Sequence, residues 1–195
     1  SEIFSETTEK IKLYFKKKPI SPYGKAKLMS FNETRNYRNL KKIKAYNAII
    51  FNTESVLRSR EYFIPKICIA AINAHKFNLR TAFGNLNISR EWNWCEEQVK
   101  YLNRFIEKDP QDFILSNGKA YSAEKMLNFA FEYFKLDYKK FVIYEKKLSR
   151  KKDFRLKRSD YSYCLRRNNM FRKPKIYGKK LIHTLIKHYL NEKKN

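Results

Sequence analysis

The sequence predicts an α/β fold, because short apolar runs with the length of strands alternate along the chain with amphipathic helical segments. Its 195 residues are enough for one domain with a packed core. Hydrophobic residues make up 43% of the chain and aromatic residues 16%, which is too much apolar surface for a disordered basic tail. No apolar run is long enough to span a bilayer, so no membrane association is expected.

The first half of the chain predicts two helices and two strands. Residues 22–42 predict a helix, since Pro22 suits a first helical turn and apolar residues recur at helical spacing. The apolar run 45–52 has the length of a buried strand. A second helix is expected over residues 64–77, and a short strand over 81–84 ends at a glycine.

The second half continues the alternation. Residues 96–106 predict a helix with Val99, Leu102 and Ile106 facing the core. The remaining expected elements are a strand at 113–115, a helix capped by Ser122, a strand at 141–144, a basic and weakly periodic stretch at 146–180, and a helix at 181–190.

Positive charge is concentrated at the two ends of the chain. The net charge is +25, with net charges of +8 for residues 1–44, +1 for 45–138 and +16 for 139–195. Two interpretations remain open: compositional drift of lysine onto solvated faces, or a surface that binds a polyanion such as RNA. Basic tracts at 16–18, 41–42 and 150–158, with Tyr161, Tyr163 and Phe171 interleaved, suit phosphate contact and base stacking.

The cysteines indicate neither disulfides nor a metal centre. Cys68, Cys95 and Cys164 are odd in number and far apart, and no C-x-x-C pair is present. We therefore expect no metal and a reducing compartment, the cytoplasm. The sequence opens on Ser-Glu-Ile-Phe without an initiator methionine or signal peptide, which leads us to expect part of a longer chain.

One motif at the start of the first helix carries chemistry. Tyr23 and Lys27 form Tyr-x-x-x-Lys, and a spacing of four places both side chains on one helical face. A lysine ammonium beside a phenol favours the phenolate, so the tyrosine can take a proton from a sugar or alcohol hydroxyl. In a chain so rich in lysine and tyrosine, a surface pair is the alternative interpretation.

Several further stretches, in one order along the chain, resemble the GDP-mannose 4,6-dehydratase family of extended short-chain dehydrogenases/reductases. They include Ser-Glu-Ile-Phe at the start, Ser-Pro-Tyr-x-x-x-Lys-Leu, Asn-Ala-Ile-Ile-Phe-Asn-Thr-Glu-Ser, Gly-Asn-Leu-Asn, Arg-Glu-Trp and Asp-Phe-Ile-Leu-Ser-Asn-Gly; these lie at 1–4, 21–28, 47–55, 84–87, 90–92 and 112–118. The resemblance implies the end of a Rossmann-type domain over 1–80 and mainly a small substrate-binding domain with a basic tail over 81–195.

The resemblance also implies catalytic roles. Tyr23 would act as the base that takes the proton of the sugar C4 hydroxyl, and Lys27 would hold the cofactor ribose and lower the pKa of the tyrosine. Glu2 would remove the C5 proton and assist loss of the C6 hydroxyl. The cofactor would be NADP, contacted by Tyr23, Lys27 and Arg58. Asn85, Arg90, Arg150 and Asp153 would line the site for GDP-mannose, where arginine can grip a diphosphate.

Departures from the family pattern leave a second function open. Thr53 stands where the family has a cofactor-contacting histidine, and Pro65 where it has an arginine. No glycine-rich dinucleotide turn occurs in these 195 residues, so a homo-oligomer or a missing N-terminal half would have to complete the fold. The alternative to an NADP-dependent dehydratase on the GDP-fucose route is a catalytically degenerate scaffold that binds RNA in an organellar ribosome or similar assembly.

Overall fold

Helices and short strands alternate in the computed structural model, which describes residues 1–5, 7, 9–149, 155–160 and 173–192. In these ranges the helices are α1 Pro22–Leu40, α2 Phe63–Phe77, α3 Cys95–Phe105, α4 Ala123–Glu132 and α5 Gly178–Asn191. The strands are β1 Asn47–Ile50, β2 Asn52–Glu54, β3 Thr81–Phe83, β4 Ser89–Arg90, β5 Trp92–Trp94, β6 Asp112–Leu115, β7 Tyr121–Ser122, β8 Val142–Tyr144 and β9 Leu156–Lys157. Two 3₁₀ turns, Tyr138–Lys140 and Lys146–Leu148, flank β8.

Most strand pairs are parallel, which confirms the predicted α/β class. β1 pairs with β6, with Ala48 opposite Phe113 and Ile50 opposite Leu115. β2 pairs with β5 and β3 with β8, also in parallel. β4 is antiparallel to β7 and parallel to β9. Parallel pairs joined by helical crossovers are the architecture of a partial Rossmann-type fold.

The apolar run predicted as one strand at 45–52 forms β1 and the first residue of β2. β1 and β2 have different partners, and the buried Phe51 lies at the break between them. The local sequence pattern does not predict β4, β5, β7 or β9. Each of these strands has only two or three residues, so an alternating pattern has no room to show.

Helix ends follow the expected local chemistry. The Ser21 hydroxyl accepts the Gly24 backbone N–H at 3.0 Å, with Pro22 in the first turn of α1. The predicted Ser122 cap is confirmed, because its hydroxyl accepts the Lys125 N–H at 3.0 Å. α2 ends where Asn78 adopts the left-handed conformation with φ of 54°.

The predicted inward face of α3 was wrong for two of its three residues. Val99 and Ile106 are exposed, and the buried positions are Gln98, Tyr101 and Phe105. The Phe105 ring stacks on Phe113 of β6 with centroids 3.9 Å apart. Aromatic rings bury more area than Val or Ile, so they set the rotation of the helix.

Two apolar clusters divide most of the described core. The larger is built from α2, α4 and α5 with the aromatic residues Phe83, Trp92 and Trp94. The second lies beneath α1, where Phe31 packs with Phe4 and with Ile49 of β1. The second cluster fixes α1 against the sheet beside the start of the chain. The division into domains at residue 80 stays a prediction.

Truncation of Phe131 should show how much the larger cluster contributes to the free energy of unfolding. Phe131 of α4 is fully buried there, so Phe131→Ala should lower the free energy of unfolding by about 3–5 kcal/mol. Leu57→Ala is the matched control, since Leu57 is 91% exposed and its loss should change stability by less than about 0.5 kcal/mol. Urea unfolding of both variants measures the difference, and equal losses would contradict this packing.

Candidate active site

The three residues predicted to be catalytic line one cleft. Glu2, Tyr23 and Lys27 face a space of about 300 Å³ between α1, β1 and the start of the chain. The other lining residues are Ser1, Ile3, Ser30, Phe31, Thr34 and the four residues of β1. Residues far apart in sequence are thus brought together on one side of α1, as a proton-transfer site requires.

Tyr23 and Lys27 lie one turn apart near the N-terminus of α1. The Lys27 Nζ is 5.5 Å from the centre of the Tyr23 ring, and Tyr23 is 61% exposed. The spacing of four therefore places the Lys27 ammonium near the Tyr23 ring on one helical face, and the acid/base role of the pair stays a prediction. The geometry therefore has the form that the Tyr-x-x-x-Lys spacing indicates.

Close backbone contact sets the position of Glu2. A Cβ added at Gly24 in the first turn of α1 would lie 2.6 Å from the Glu2 carbonyl oxygen, so glycine permits this approach. The backbone nitrogen of Ser1 donates to the Ile50 carbonyl at 2.8 Å. The segment that carries Glu2 is thereby held between α1 and the end of β1.

Lys157 of β9 contacts both Glu2 and the backbone of Ser1. Its Nζ is 3.6 Å from Glu2 Oε1 and donates to the Ser1 carbonyl at 3.2 Å. Lys157 is 2% exposed, so its ammonium is buried and cannot contact a phosphate in solvent. The basic tract at 150–158 therefore offers one surface charge fewer than its sequence indicates.

Arg58 lies away from this cleft, in a separate contact with β2. Its Nε is 3.2 Å from Glu54 Oε2, without hydrogen-bond alignment, and its guanidinium lies 3.9 Å from the centre of the Tyr62 ring. Burial raises the pKa of Glu54 to about 8, although the Arg58 charge opposes the shift. The pair is therefore marginal as an ion pair.

Of the four residues predicted to bind substrate, the two that the structure describes, Asn85 and Arg90, do not line the Tyr23 cleft. Arg90 is buried on β4, where its Nη1 donates to the Ser89 carbonyl at 2.8 Å. The Asn85 side chain accepts the Asn87 N–H at 2.8 Å within its own turn. Arg150 and Asp153 lie outside the described residues. The assigned roles of these four side chains stay predictions.

Glu91 organises a site that the sequence analysis did not single out. Its buried carboxylate accepts the Ser116 hydroxyl, the Gly118 N–H at 3.0 Å, and both the N–H and the hydroxyl of Ser159. Burial raises the pKa of Glu91, and the hydrogen bonds oppose that shift. Glu91 thus links the residues after β6 to those after β9. In the sequence, the Arg-Glu-Trp stretch at 90–92 was the only signal that could have pointed to Glu91.

Known structures share this architecture. A dTDP-glucose 4,6-dehydratase from Bacillus anthracis in complex with NAD superposes with a TM-score of 0.85 at 12% identity, over 99% of this chain and 60% of that one. RMD from Pseudomonas aeruginosa complexed with NADPH gives 0.82 at 12% identity, over 97% and 64%. The fold is that of extended short-chain dehydrogenases/reductases, the class that contains nucleotide-sugar dehydratases and epimerases.

The chain belongs to the GDP-mannose 4,6-dehydratase family, whose profile matches residues 1–175. It is 35% identical over 118 residues to GDP-mannose 4,6 dehydratase 2 of Caenorhabditis elegans, covering 58% of this chain and 30% of the relative. Identity to GDP-mannose 4,6 dehydratase 1 of Arabidopsis thaliana is 27% over 171 residues, 86% of this chain and 46% of the relative. The chain thus matches less than half the length of these relatives. The predicted family resemblance is confirmed.

Within the described ranges, none of the helices combines the length and the apolar character needed to cross a membrane.

The stability of the fold should depend on the ionisation of Glu54. Because its pKa is about 8 when folded, against an ordinary value near 4.5, the folded protein holds a proton that the unfolded chain releases in between. The free energy of unfolding should therefore fall as the pH rises from about 4.5 to about 8. Glu54→Gln should remove part of this slope, while Glu61→Gln, at an exposed site, should retain it. Urea unfolding across that pH range provides the measurement, and equal slopes in the wild type and Glu54→Gln would refute the assignment.

Proposed function

We propose that this chain carries the proton-transfer residues of an enzyme that converts GDP-mannose to GDP-4-keto-6-deoxymannose, a nucleotide-sugar lyase of the GDP-fucose route. The observation that supports it most directly is the convergence of Glu2, Tyr23 and Lys27 on one cleft. Membership of the dehydratase family supports a reaction class, dehydration of a nucleotide sugar, in which three proton-transfer and positioning groups are needed.

The residues of the cleft fit the reactive end of a nicotinamide cofactor. A space of about 300 Å³ is at the lower limit of small-molecule sites, so it suits one nucleoside portion rather than a whole dinucleotide. Lys27 would hold the ribose of NADP beside Tyr23, at the spacing found here. When bound, NADP would accept hydride from the sugar C4 and return it at C6.

Each side chain then has a defined proton to move. Tyr23, as phenolate, takes the proton of the C4 hydroxyl while the carbon is oxidised, and Lys27 stabilises the phenolate charge. The resulting ketone makes the C5 hydrogen acidic, so the Glu2 carboxylate can remove it. Glu2 gives that proton to the C6 hydroxyl, which leaves as water. Once hydride has returned to C6, C5 takes up a proton equivalent to the one that Tyr23 accepted, and the Tyr23 phenolate is restored. The close approach of α1 at Gly24 places the Tyr23 helix beside Glu2, as two consecutive proton transfers require.

The remainder of the dinucleotide site would come from a segment equivalent to the part of the relatives that this chain does not match, or from another subunit of a homo-oligomer. Among the described strands, β1 is paired with β6 alone, so its second edge is open to a further parallel strand. Arg58 would contact the cofactor after exchanging its Glu54 contact for a phosphate.

Substitution of Tyr23 in the full-length protein tests the proposal. Tyr23→Phe should lower the rate of GDP-mannose conversion with NADP by about 10²–10⁴-fold, because the general base is lost. Tyr37→Phe is the matched control, since Tyr37 is an exposed tyrosine of the same helix outside the cleft lining, and its rate should be unchanged. A wild type without activity, or a Tyr23→Phe variant with full activity, would overturn the proposal.

Glu2→Gln should separate oxidation from elimination. This variant keeps the Tyr23–Lys27 pair, so the sugar should still be oxidised at C4 and NADP reduced. The 4-keto sugar should not lose water at an appreciable rate, because the base for C5 is lost. A stopped-flow record of cofactor absorbance should then show reduced cofactor accumulating, whereas the wild type re-oxidises it. Normal turnover by Glu2→Gln would remove Glu2 from the mechanism.

A further inference from the structure

A second cleft adjoins α1, on a flank next to the Tyr23 cleft, and Phe31 lines both. It has a volume of about 570 Å³ and lies between α1, the loop before it and the start of β6. Its charged lining consists of Lys17, Arg35, Arg38 and Asp112, and its other lining residues include Tyr14 and Gln111. Three cations face one carboxylate, so the lining carries a surplus of positive charge.

Asp112 holds the two arginines in place. Arg38 Nη2 donates to Asp112 Oδ1 at 2.8 Å, and Arg35 Nε lies 3.2 Å from Asp112 Oδ2. Arg38 Nη1 also donates to the Ala45 carbonyl at 3.1 Å, and Asn47 donates to the same carboxylate at 2.9 Å. A guanidinium fixed through Nε still has terminal N–H groups with which to bind an anion. The cleft is therefore organised before any ligand enters.

Lys17 adds a cation that has no carboxylate against it in the described contacts. Its Nζ donates to the Leu13 carbonyl at 2.9 Å and lies 5.2 Å from the centre of the Phe31 ring. Partial burial and repulsion from Arg35 lower the pKa of Lys17, although Asp112 opposes the shift. A bound anion would offset both effects through its attraction to the Lys17 ammonium.

An aromatic ring stands beside these cations. Tyr14 is 67% exposed, and its ring packs edge to face on Phe15 with centroids 5.6 Å apart. Lys12 Nζ lies 5.7 Å from the Tyr14 ring. Proteins that bind single-stranded nucleic acid combine basic side chains with exposed aromatic rings on which bases stack, and Tyr14 beside these cations has that arrangement.

We propose that this cleft binds a nucleotide unit of single-stranded RNA, with the phosphate between Lys17 and Arg35 and the base on Tyr14. The neighbouring chain favours a polymer over a free mononucleotide. Lys16 and Lys18 flank Lys17 and are exposed, as are Lys41, Lys42 and Lys44 after α1, and these further charges would attract the neighbouring phosphates of a polymer. This site is independent of the proposed sugar chemistry.

The salt dependence of binding tests the charged part of the site. A fluorescein-labelled oligo(U) should bind the full-length wild type. The logarithm of its association constant should fall with the logarithm of the salt concentration with a slope of about −2 or steeper, since each phosphate contact in a single strand contributes about −0.7. Lys17→Gln/Arg35→Gln should reduce the steepness by about 1.4 and weaken binding roughly 25-fold at 0.1 M salt. Asp112 keeps Arg38 and Asn47 in this variant, so the fold should survive.

Control variants distinguish the effect of the charges in this cleft from the effect of the protein's total positive charge on RNA binding. Lys76→Gln/Arg80→Gln removes the same two charges from exposed positions elsewhere and should leave the slope near that of the wild type. Tyr14→Ala should weaken binding roughly fivefold or more without changing the slope, and Tyr14→Phe should restore it. An equal effect of both double variants, or competition by uridine monophosphate at the oligomer's own affinity, would overturn the proposal.

Discussion

The contact between Gly24 and the backbone of Glu2 is the constraint on which the candidate active site depends. The first turn of α1 approaches the Glu2 carbonyl so closely that a Cβ at residue 24 would lie 2.6 Å from it. Phe31, two turns further along, fixes the same helix on β1 through the apolar cluster that also holds Phe4. These two contacts determine where Tyr23 and Lys27 lie relative to Glu2. The cleft follows from backbone packing more than from polar contacts between the three side chains.

Charge in this protein has several distinct uses, although its sequence shows only an excess of lysine and arginine. Lys157 is buried against Glu2, while Arg35 and Arg38 are fixed by Asp112 at the wall of a cleft. Arg58 faces a carboxyl whose burial raises its pKa to about 8. Compositional drift onto solvated faces, one of the two interpretations of the charge, does not account for cations held by specific partners.

Much of the fold could be predicted from local patterns, because caps, helical spacing and apolar runs are recorded within a few neighbouring residues. The Ser122 cap, α1 and the parallel partners β1 and β6 are examples. Long-range contacts leave no such record: nothing near Lys157 indicates Glu2, and nothing near Arg38 indicates Asp112. The strands of two or three residues and the rotation of α3 depend on tertiary packing, which local periodicity does not contain.

The most direct test of the central claim is a crystal structure of the full-length protein with NADP and GDP-mannose bound. The account predicts that the Tyr23 hydroxyl lies about 2.6–3.2 Å from the sugar C4 hydroxyl, with Lys27 on the cofactor ribose. It also predicts that the Glu2 carboxylate faces C5 from the other side of the cleft. A sugar ring bound away from Tyr23, or a Glu2 side chain that remains turned toward Lys157 and out of reach of C5, would contradict it.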